Sequence, residues 1–352
     1  RVFEWMDQYF MINLINKSCE VSSLESAFMD KSKTAYPNYQ KFEDKNNLAI
    51  YQLAGYNNIL LQLGLPIERL LENFYTSYLS EEFCYTGLPI RLPKVEDGWL
   101  EKCRIIFPEL DNIARQYDTF VKEDEIDSEY LAMLPPQKMS EAKSLLMNKY
   151  YEINESNSTI KQVLFYLFAS ASLLYNVAPY KHKKYHSLVE LIIHESVGYD
   201  QYTSYQKSKI DFLIENRMLK IDDEGKLKFT NVKILPALKA IWEFGSCSYW
   251  HYDKDARNGL DELLELGLLV TDDHLLTKNE RGYFSYYTDN SEYTNGYAYR
   301  NLYAHGCTPQ ANDDNAHAIA YFSMLRLLII LMLKIRDDLW LARRILATEM
   351  CV

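Results

Sequence analysis

A long apolar segment near the C-terminal end, residues 316–335, is the feature that most constrains the fold of this chain. Its apolar run over residues 319–333 is interrupted by Arg326 and followed by Lys334. The run is shorter than the roughly 20 apolar residues that a bilayer-spanning helix needs. We therefore expect a buried helix inside a helical bundle or at a dimer interface, and no membrane partner.

The rest of the sequence also favours helices. Only 12 glycines and 10 prolines occur among 352 residues, which is unfavourable for a Rossmann sheet or a turn-rich β-sandwich. Residues 51–64 and 67–79 have apolar side chains at spacings of three and four, the period of a helix. Residues 101–121 show the same pattern, with an expected interruption at Pro108. We predict a mainly α fold with small β-hairpins inserted in the C-terminal half.

Polar segments predict where the chain divides. The sequence Asn-Glu-Ser-Asn-Ser at residues 154–158 is typical of a linker. We predict a helical N-terminal scaffold or regulatory domain over residues 1–153 and a second helical domain with β-hairpins over 154–352. The N-terminal half contains no catalytic pattern, so we expect it to bind an inhibitory or sensor partner.

A weak internal repeat lies in the second half. Residues 212–230 and 260–277 each read as a helix, a strand, an acidic turn and a second short strand. This order is typical of the wing in a winged-helix unit. The turns carry more acid than base, so we interpret both as structural hairpins. Nucleic-acid binding through the wing residues Lys226 and Lys228 is the alternative.

Charge and cysteine usage limit the classes of partner and compartment. A formal net charge of −11 is unfavourable for general binding to nucleic-acid phosphates, so any RNA site must be local. The six cysteines are far apart and form no CxxC pair. Such spacing indicates reduced thiols and predicts a cytoplasmic location.

The sequence RNLYAHG at residues 300–306 has the strongest chemical pattern. Arg300 offers a planar fork of donors that suits a phosphate. His305 can accept or donate a proton near neutral pH. Positions five apart do not share a helix face strictly, but long side chains can converge on one phosphodiester. The alternative is a structural helix start in which Arg300 pairs with Asp313 or Asp314.

The motif Arg300-Asn301, three residues and His305, followed by Gly306 and a long apolar helix, resembles the HEPN superfamily of helical ribonucleases and RNA-binding proteins. The resemblance covers residues 240–352. It implies a HEPN-like helical bundle in which Arg300 and His305 lie near the start of the third helix.

The resemblance also implies an activity, namely a metal-independent endoribonuclease without cofactors that acts as a toxin-like or antiviral defence effector. The 2′-hydroxyl of RNA attacks the phosphate, with His305 as general base or acid and Arg300 holding the phosphate. Asn301 orients the phosphate or the histidine. A homodimer is implied because two motifs then face one scissile bond. A catalytically inactive RNA-binding or interaction scaffold and a winged-helix nucleic-acid-binding regulator are the alternatives.

Aromatic residues surround the motif from residue 283 to residue 303. Tyr299 and Tyr303, next to and within the motif, are the candidates for stacking on unpaired bases of the substrate. We expect the other rings to pack a loop onto the helical core.

Other spacings are weaker candidates for chemistry, and we predict no metal. His182 and His186 have the spacing of helical metal ligands, but the neighbouring lysines repel a cation. Cys247 and His251 lack two further ligands. Glu224 and Lys226 lie in a tight turn without a partner aspartate on a neighbouring strand.

Overall fold

The computed structural model describes residues 3–21, 25, 32, 34–133, 139–304 and 313–349. The chain divides into two compact units. Unit 1 consists of Arg1–Lys149 and Asp273–Val352, and unit 2 is the intervening segment Tyr150–Asp272. Helices dominate both units and the sheets are small and antiparallel, so the mainly α prediction is confirmed.

The N-terminal part of unit 1 is helical from residue 40 onward. Its helices are α1 (Gln40–Gln62), α2 (Ile67–Asn73), α3 (Leu79–Phe83), α4 (Trp99–Glu123) and α5 (Ser128–Met133), with a π-helical turn at Phe74–Tyr78. Helix α4 continues through Pro108, so the interruption expected there is wrong. The apolar positions of α4 form one buried stripe because they recur every three or four residues. This stripe contains Cys103, Ile106, Phe107, Leu110, Ile113 and Tyr117.

Unit 2 combines helices with short strands. Its helices are α6 (Ser158–Phe168), α7 (Leu188–His194), α8 (Ser204–Glu215), α9 (Leu235–Phe244) and α10 (Lys254–Glu265). Its strands are β1 (Tyr150–Ile153), β2 (Leu219–Ile221), β3 (Leu227–Phe229), β4 (Ser246–Ser248) and β5 (Leu269–Asp272).

One of the two predicted hairpins is present. Strands β2 and β3 pair antiparallel around the acidic turn, which confirms the first hairpin. The second prediction is wrong, because β5 pairs antiparallel with β1 rather than with residues 274–277. Strand β1 has buried tyrosines at Tyr150 and Tyr151 and lies between β4 and β5 in the sheet. Strand β1, more than one hundred residues earlier in the sequence, pairs with β5 in place of the local strand that the sequence predicted.

The internal repeat is a structural one, and equivalent residues differ in number by 50. Helices α8 and α10 each have 12 residues, capped by the side chains of Thr203 and Asp253. Each helix is followed by a residue with positive φ, Arg217 (60°) or Gly267 (68°). A strand whose first residue is buried, Leu219 or Leu269, then starts in each repeat.

The two repeats also share a strand order. In the first, the backbone at Val197 accepts a 2.8 Å hydrogen bond from Leu227 at the start of β3, and β3 pairs with β2. In the second, β4 pairs with β1, and β1 pairs with β5. Strand β1, from the beginning of the unit, therefore occupies the position that β3 has in the first repeat. Unit 2 therefore contains two related repeats of helix, strand or β-bridge, helix and strand.

The C-terminal part of unit 1 contains α11 (Lys278–Thr288), α12 (Tyr299–Ala304) and α13 (Asp314–Glu349). Helix α13 confirms the predicted apolar helix and extends beyond it at both ends. By length and composition α13 could cross a membrane, but 78% of its most apolar window is buried inside the structure.

Buried ion pairs connect α13 to the remainder of unit 1. Lys334 lies 2.6 Å from Glu280 of α11, and Asp338 lies 2.6 Å from Lys149, with all four side chains almost completely buried. Asp338 also accepts a hydrogen bond of 2.6 Å from the Ser144 hydroxyl. This arrangement differs from the predicted division after residue 153. The segment from residue 273 onward packs with residues 1–149, because its charged and apolar partners are there.

Candidate functional site

The motif begins in α12, a short helix that packs against α4. The ring of Tyr303 stacks on Phe107 of α4, with centroids 4.8 Å apart and planes 12° apart. Its hydroxyl lies 2.8 Å from Nδ1 of His317 on α13. Cys103 of α4 donates to the backbone carbonyl of His317 at 3.3 Å. These contacts fix α12 between α4 and the first turns of α13.

Arg300 is held at the surface by Asp111 of α4. Its Nε lies 3.0 Å from Oδ2 of Asp111, and the arginine side chain is 41% exposed. The alternative pairing with Asp313 or Asp314 is therefore not the one found. Burial raises the pKa of Asp111 above its ordinary value, and the positive charge of Arg300 opposes that rise. No other described residue forms an ion pair or a side-chain hydrogen bond with Arg300.

The remaining motif residues have different positions. Asn301 is half-buried, and its Nδ2 donates a 3.1 Å hydrogen bond to Oδ1 of the exposed Asn290. The amide of Asn301 therefore lies at the surface, with a different partner from that of Arg300. His305 lies outside the described residues, so its relation to Arg300 comes from the sequence alone.

The two tyrosines proposed to stack on bases are largely covered. Tyr303 is only 7% exposed, which differs from the surface position expected of a stacking residue. Tyr299 is half-buried, and its ring stacks on Tyr297 at 5.0 Å. Burial raises the pKa of Tyr299. We therefore interpret Tyr303 as an anchor of α12 and Tyr299 as a partly covered side chain beside Arg300.

The other rings of the cluster pack as predicted. Tyr297 stacks on Tyr287 (5.3 Å, 6° between planes) and on Tyr299, and it remains 41% exposed. The buried members are Tyr283, Phe284, Tyr286 and Tyr287. These four residues belong to the buried core of unit 1.

Sequence reasoning missed two charged residues near the motif. Asp111 is one of several acids on α4, and no local pattern distinguishes it. Arg326 was interpreted only as an interruption, yet it is completely buried and lies 4.9 Å from the ring centroid of Tyr287. Its Nη1 donates to the carbonyl of Asn46 at 3.0 Å. In the sequence, Arg326 is distinguished only as a charged residue at the centre of an apolar run.

The weaker candidates of the sequence concern metal binding and cysteine chemistry. Within the described part of the chain, no group of three or more His, Cys, Asp or Glu side chains could hold a metal ion. Cys247 is buried, and this burial raises the pKa of its thiol, which disfavours the reactive thiolate.

Comparison of this chain with protein-family models, with curated proteins and with solved structures found no match. The interpretation of the site therefore depends on the motif and on its geometry. That geometry consists of an exposed guanidinium fixed by a carboxylate, with a surface amide from the adjacent residue.

Proposed function

We propose that this chain is a metal-independent endoribonuclease whose site contains Arg300, Asn301 and His305. The observation that carries the proposal is the exposed Arg300 guanidinium, which Asp111 fixes through Nε. The guanidinium is planar, and its further N–H groups can donate to two oxygens of a phosphate. The sequence places a histidine close by, and the resemblance to HEPN ribonucleases supplies the reaction.

The proposed reaction needs only the substrate and these side chains. The 2′-oxygen attacks phosphorus and loses its proton to one histidine, while the bond from phosphorus to the 5′-oxygen breaks. A second protonated histidine gives its proton to the departing 5′-oxygen. The products are a 2′,3′-cyclic phosphate and a free 5′-hydroxyl. Arg300 stabilises the negative charge on the phosphate oxygens, and Asn301 orients the phosphate or the histidine.

Two histidines imply two copies of the chain, so a homodimer belongs to the proposal. So does a toxin-like or antiviral role in the cytoplasm, because an unregulated ribonuclease would damage its own cell. The N-terminal part of unit 1 is the proposed surface for an inhibitory or sensor partner.

The test is cleavage of RNA in EDTA by wild type, Arg300→Ala and His305→Ala. We expect wild-type cleavage with cyclic phosphate ends, and a loss of roughly 10²–10³-fold in Arg300→Ala. A loss of roughly 10²–10⁴-fold is expected in His305→Ala. Arg343→Ala is a matched control, because Arg343 is also exposed and pairs with Glu82 at 3.0 Å. His182→Ala, at an exposed site in unit 2, controls for His305→Ala. Cleavage that EDTA abolishes and magnesium restores would contradict the proposal.

An inactive RNA-binding scaffold is the second candidate, and the Arg300–Asp111 pair favours it. The Asp111 carboxylate partly neutralises the charge that Arg300 would offer to the phosphate oxygens during cleavage, whereas other cations can still bind RNA. This candidate predicts RNA binding by wild type without cleavage, and no change in RNA ends on Arg300→Ala.

The third candidate is a nucleic-acid-binding regulator of winged-helix type. It is favoured by the paired repeats of unit 2, the first of which ends in the β2–β3 hairpin. The wing turn opposes it, because Asp222, Asp223 and Glu224 would repel phosphates. Binding of duplex DNA that survives Arg300→Ala but fails in Lys226→Ala/Lys228→Ala would support this candidate.

A further inference from the structure

A cleft of about 900 Å³ lies in unit 1, between α2, residues 90–95 and α4. Four exposed cationic side chains line it, namely Arg69, Arg91, Lys94 and Arg104. Arg69, Arg91 and Lys94 form no ion pair with any described residue. The ion pair of Arg104 is long, with 3.8 Å between its Nη1 and Oε2 of Glu101. Cations that converge on one concave surface without acidic partners attract an anionic ligand.

The acids of the cleft do not cancel this charge. Glu68 and Glu109 are buried and already accept hydrogen bonds, from the Tyr321 hydroxyl at 2.6 Å and from Asn112 at 3.0 Å. The exposed acids of the lining are Glu72 and Glu101. Exposed cations thus outnumber exposed acids in the cleft, although the whole chain has a net charge of −11.

A buried acceptor at the cleft points to a ligand that also carries donors. Oε2 of Glu68 is buried and has no hydrogen-bond partner among the described residues. Its other oxygen, Oε1, accepts from the Tyr321 hydroxyl and lies 3.5 Å from Nζ of Lys102, so Oε2 is the oxygen that can accept from a ligand. Bases and sugars of RNA have such donors next to phosphates, whereas inorganic phosphate at neutral pH has few.

One face of α4 leads from the cleft toward the partner of Arg300. Arg104, Pro108 and Asp111 are spaced by four and three residues, so they share a helix face. A rise of 1.5 Å per residue places Asp111 about 10 Å from Arg104 along the axis and about 5 Å beyond Pro108. Arg104 and Pro108 line the cleft, and Asp111 holds Arg300.

We propose that this cleft binds the single-stranded RNA segment next to the scissile bond. Arg69, Arg91 and Lys94 hold successive phosphates, and Glu68 accepts a hydrogen bond from a base or sugar. The strand then follows α4 to Arg300. The identity of the ligand as RNA rests on the proposed function.

The test uses the full chain and a fluorescein-labelled oligouridylate whose 2′-hydroxyls are all methylated, so that it cannot be cleaved. Binding is measured by fluorescence anisotropy over a series of salt concentrations. For Arg69→Ala/Arg91→Ala/Lys94→Ala we expect Kd to rise about tenfold or more. The slope of log Kd against log salt should fall by about 2, because each single-strand phosphate contact contributes about 0.7.

A charge-matched control separates the cleft from general electrostatics. Lys41→Ala/Lys122→Ala/Arg343→Ala removes three exposed cations elsewhere in unit 1 and should leave affinity and slope close to wild type. The single variant Arg91→Glu, at an exposed position, should weaken binding in the same direction without touching the core.

The outcomes distinguish this inference from the proposed function. The proposed binding site is wrong if the cleft variant and the control lose the same affinity for the probe, or if the wild type does not bind the probe. Cleavage that requires His305 while the cleft variant binds and cleaves like wild type also overturns it, and leaves the nuclease intact. A third outcome is that the probe binds and the cleft variant weakens this binding, while ordinary RNA is never cleaved. That outcome supports the cleft as a binding site and contradicts the proposed nuclease activity.

Discussion

At the scale of single residues, the partner of Arg300 determines how a phosphate could be bound. Asp111 approaches the guanidinium at Nε, 3.0 Å from Oδ2, and no other described residue forms an ion pair with Arg300. The same carboxylate lies in a partly buried position, where its charge is costly. Any phosphate that binds Arg300 therefore weakens the main favourable contact of the Asp111 charge.

This competition gives a titration prediction. Burial raises the pKa of Asp111 above its ordinary value of 3.8, and Arg300 lowers it. Arg300→Ala should therefore move the carboxyl titration of Asp111 to higher pH, measured by carbon-detected NMR. Bound RNA should shift it in the same direction, because phosphate takes over the guanidinium.

Arg343→Ala, which removes an arginine from another surface pair, should leave the titration of Asp111 in place. An Asp111 curve that stays unchanged in Arg300→Ala would show that the ion pair does not form in solution.

At the scale of elements, the repeats of unit 2 share a side-chain arrangement as well as a backbone. The Tyr199 hydroxyl donates to Asp211 at 2.7 Å, and the equivalent Tyr249 donates to Asp261 at 2.9 Å. Asp261 accepts a second hydrogen bond of 2.5 Å from Tyr151 of β1. This second hydrogen bond joins β1 to the second repeat.

The repeats therefore act as each other's control. We expect Asp261→Ala to lower the free energy of unfolding more than Asp211→Ala does, because it breaks two hydrogen bonds to a charged acceptor rather than one. The difference should be roughly 1–3 kcal/mol, measured by urea denaturation of the full chain. Equal losses would mean that the Tyr151 contact adds no stability and that β1 is held by its backbone alone.

Local patterns predicted the elements better than they predicted partners. The spacing of apolar residues predicted α13, and the acidic turn predicted the hairpin of β2 and β3. The partner of β5 could not be predicted, because β1 precedes it by more than one hundred residues. The same holds at the site, where Arg300 was predicted from its motif, but Asp111 is recognisable only after α4 and α12 are packed together.

At the scale of the whole molecule, unit 1 is assembled from the two ends of the sequence. Helix α13 supplies its longest buried face and the ion pairs with Glu280 and Lys149. Unit 2 contains all the partners of its own strands, since β1, β4 and β5 lie within Tyr150–Asp272.

This topology predicts different outcomes for two fragments. Residues 150–272 expressed alone should fold cooperatively, with dispersed amide resonances in a two-dimensional NMR spectrum. Residues 1–149 alone should not, because Lys149 and the apolar face of α4 lose their partners on α13. A folded 1–149 fragment, or an unstructured 150–272 fragment, would contradict the division into these units.

The split of unit 1 has a consequence for how the chain is made. During synthesis on the ribosome, the inserted unit emerges complete and can fold while residues 1–149 still await their last helix. That early segment exposes apolar surface for the time that translation needs to reach residue 349, so it is the part that holding chaperones should bind. The motif and α13, the helix that completes its scaffold, are translated after residues 1–149 and after unit 2. A nascent chain therefore cannot present a finished site before α13 has emerged.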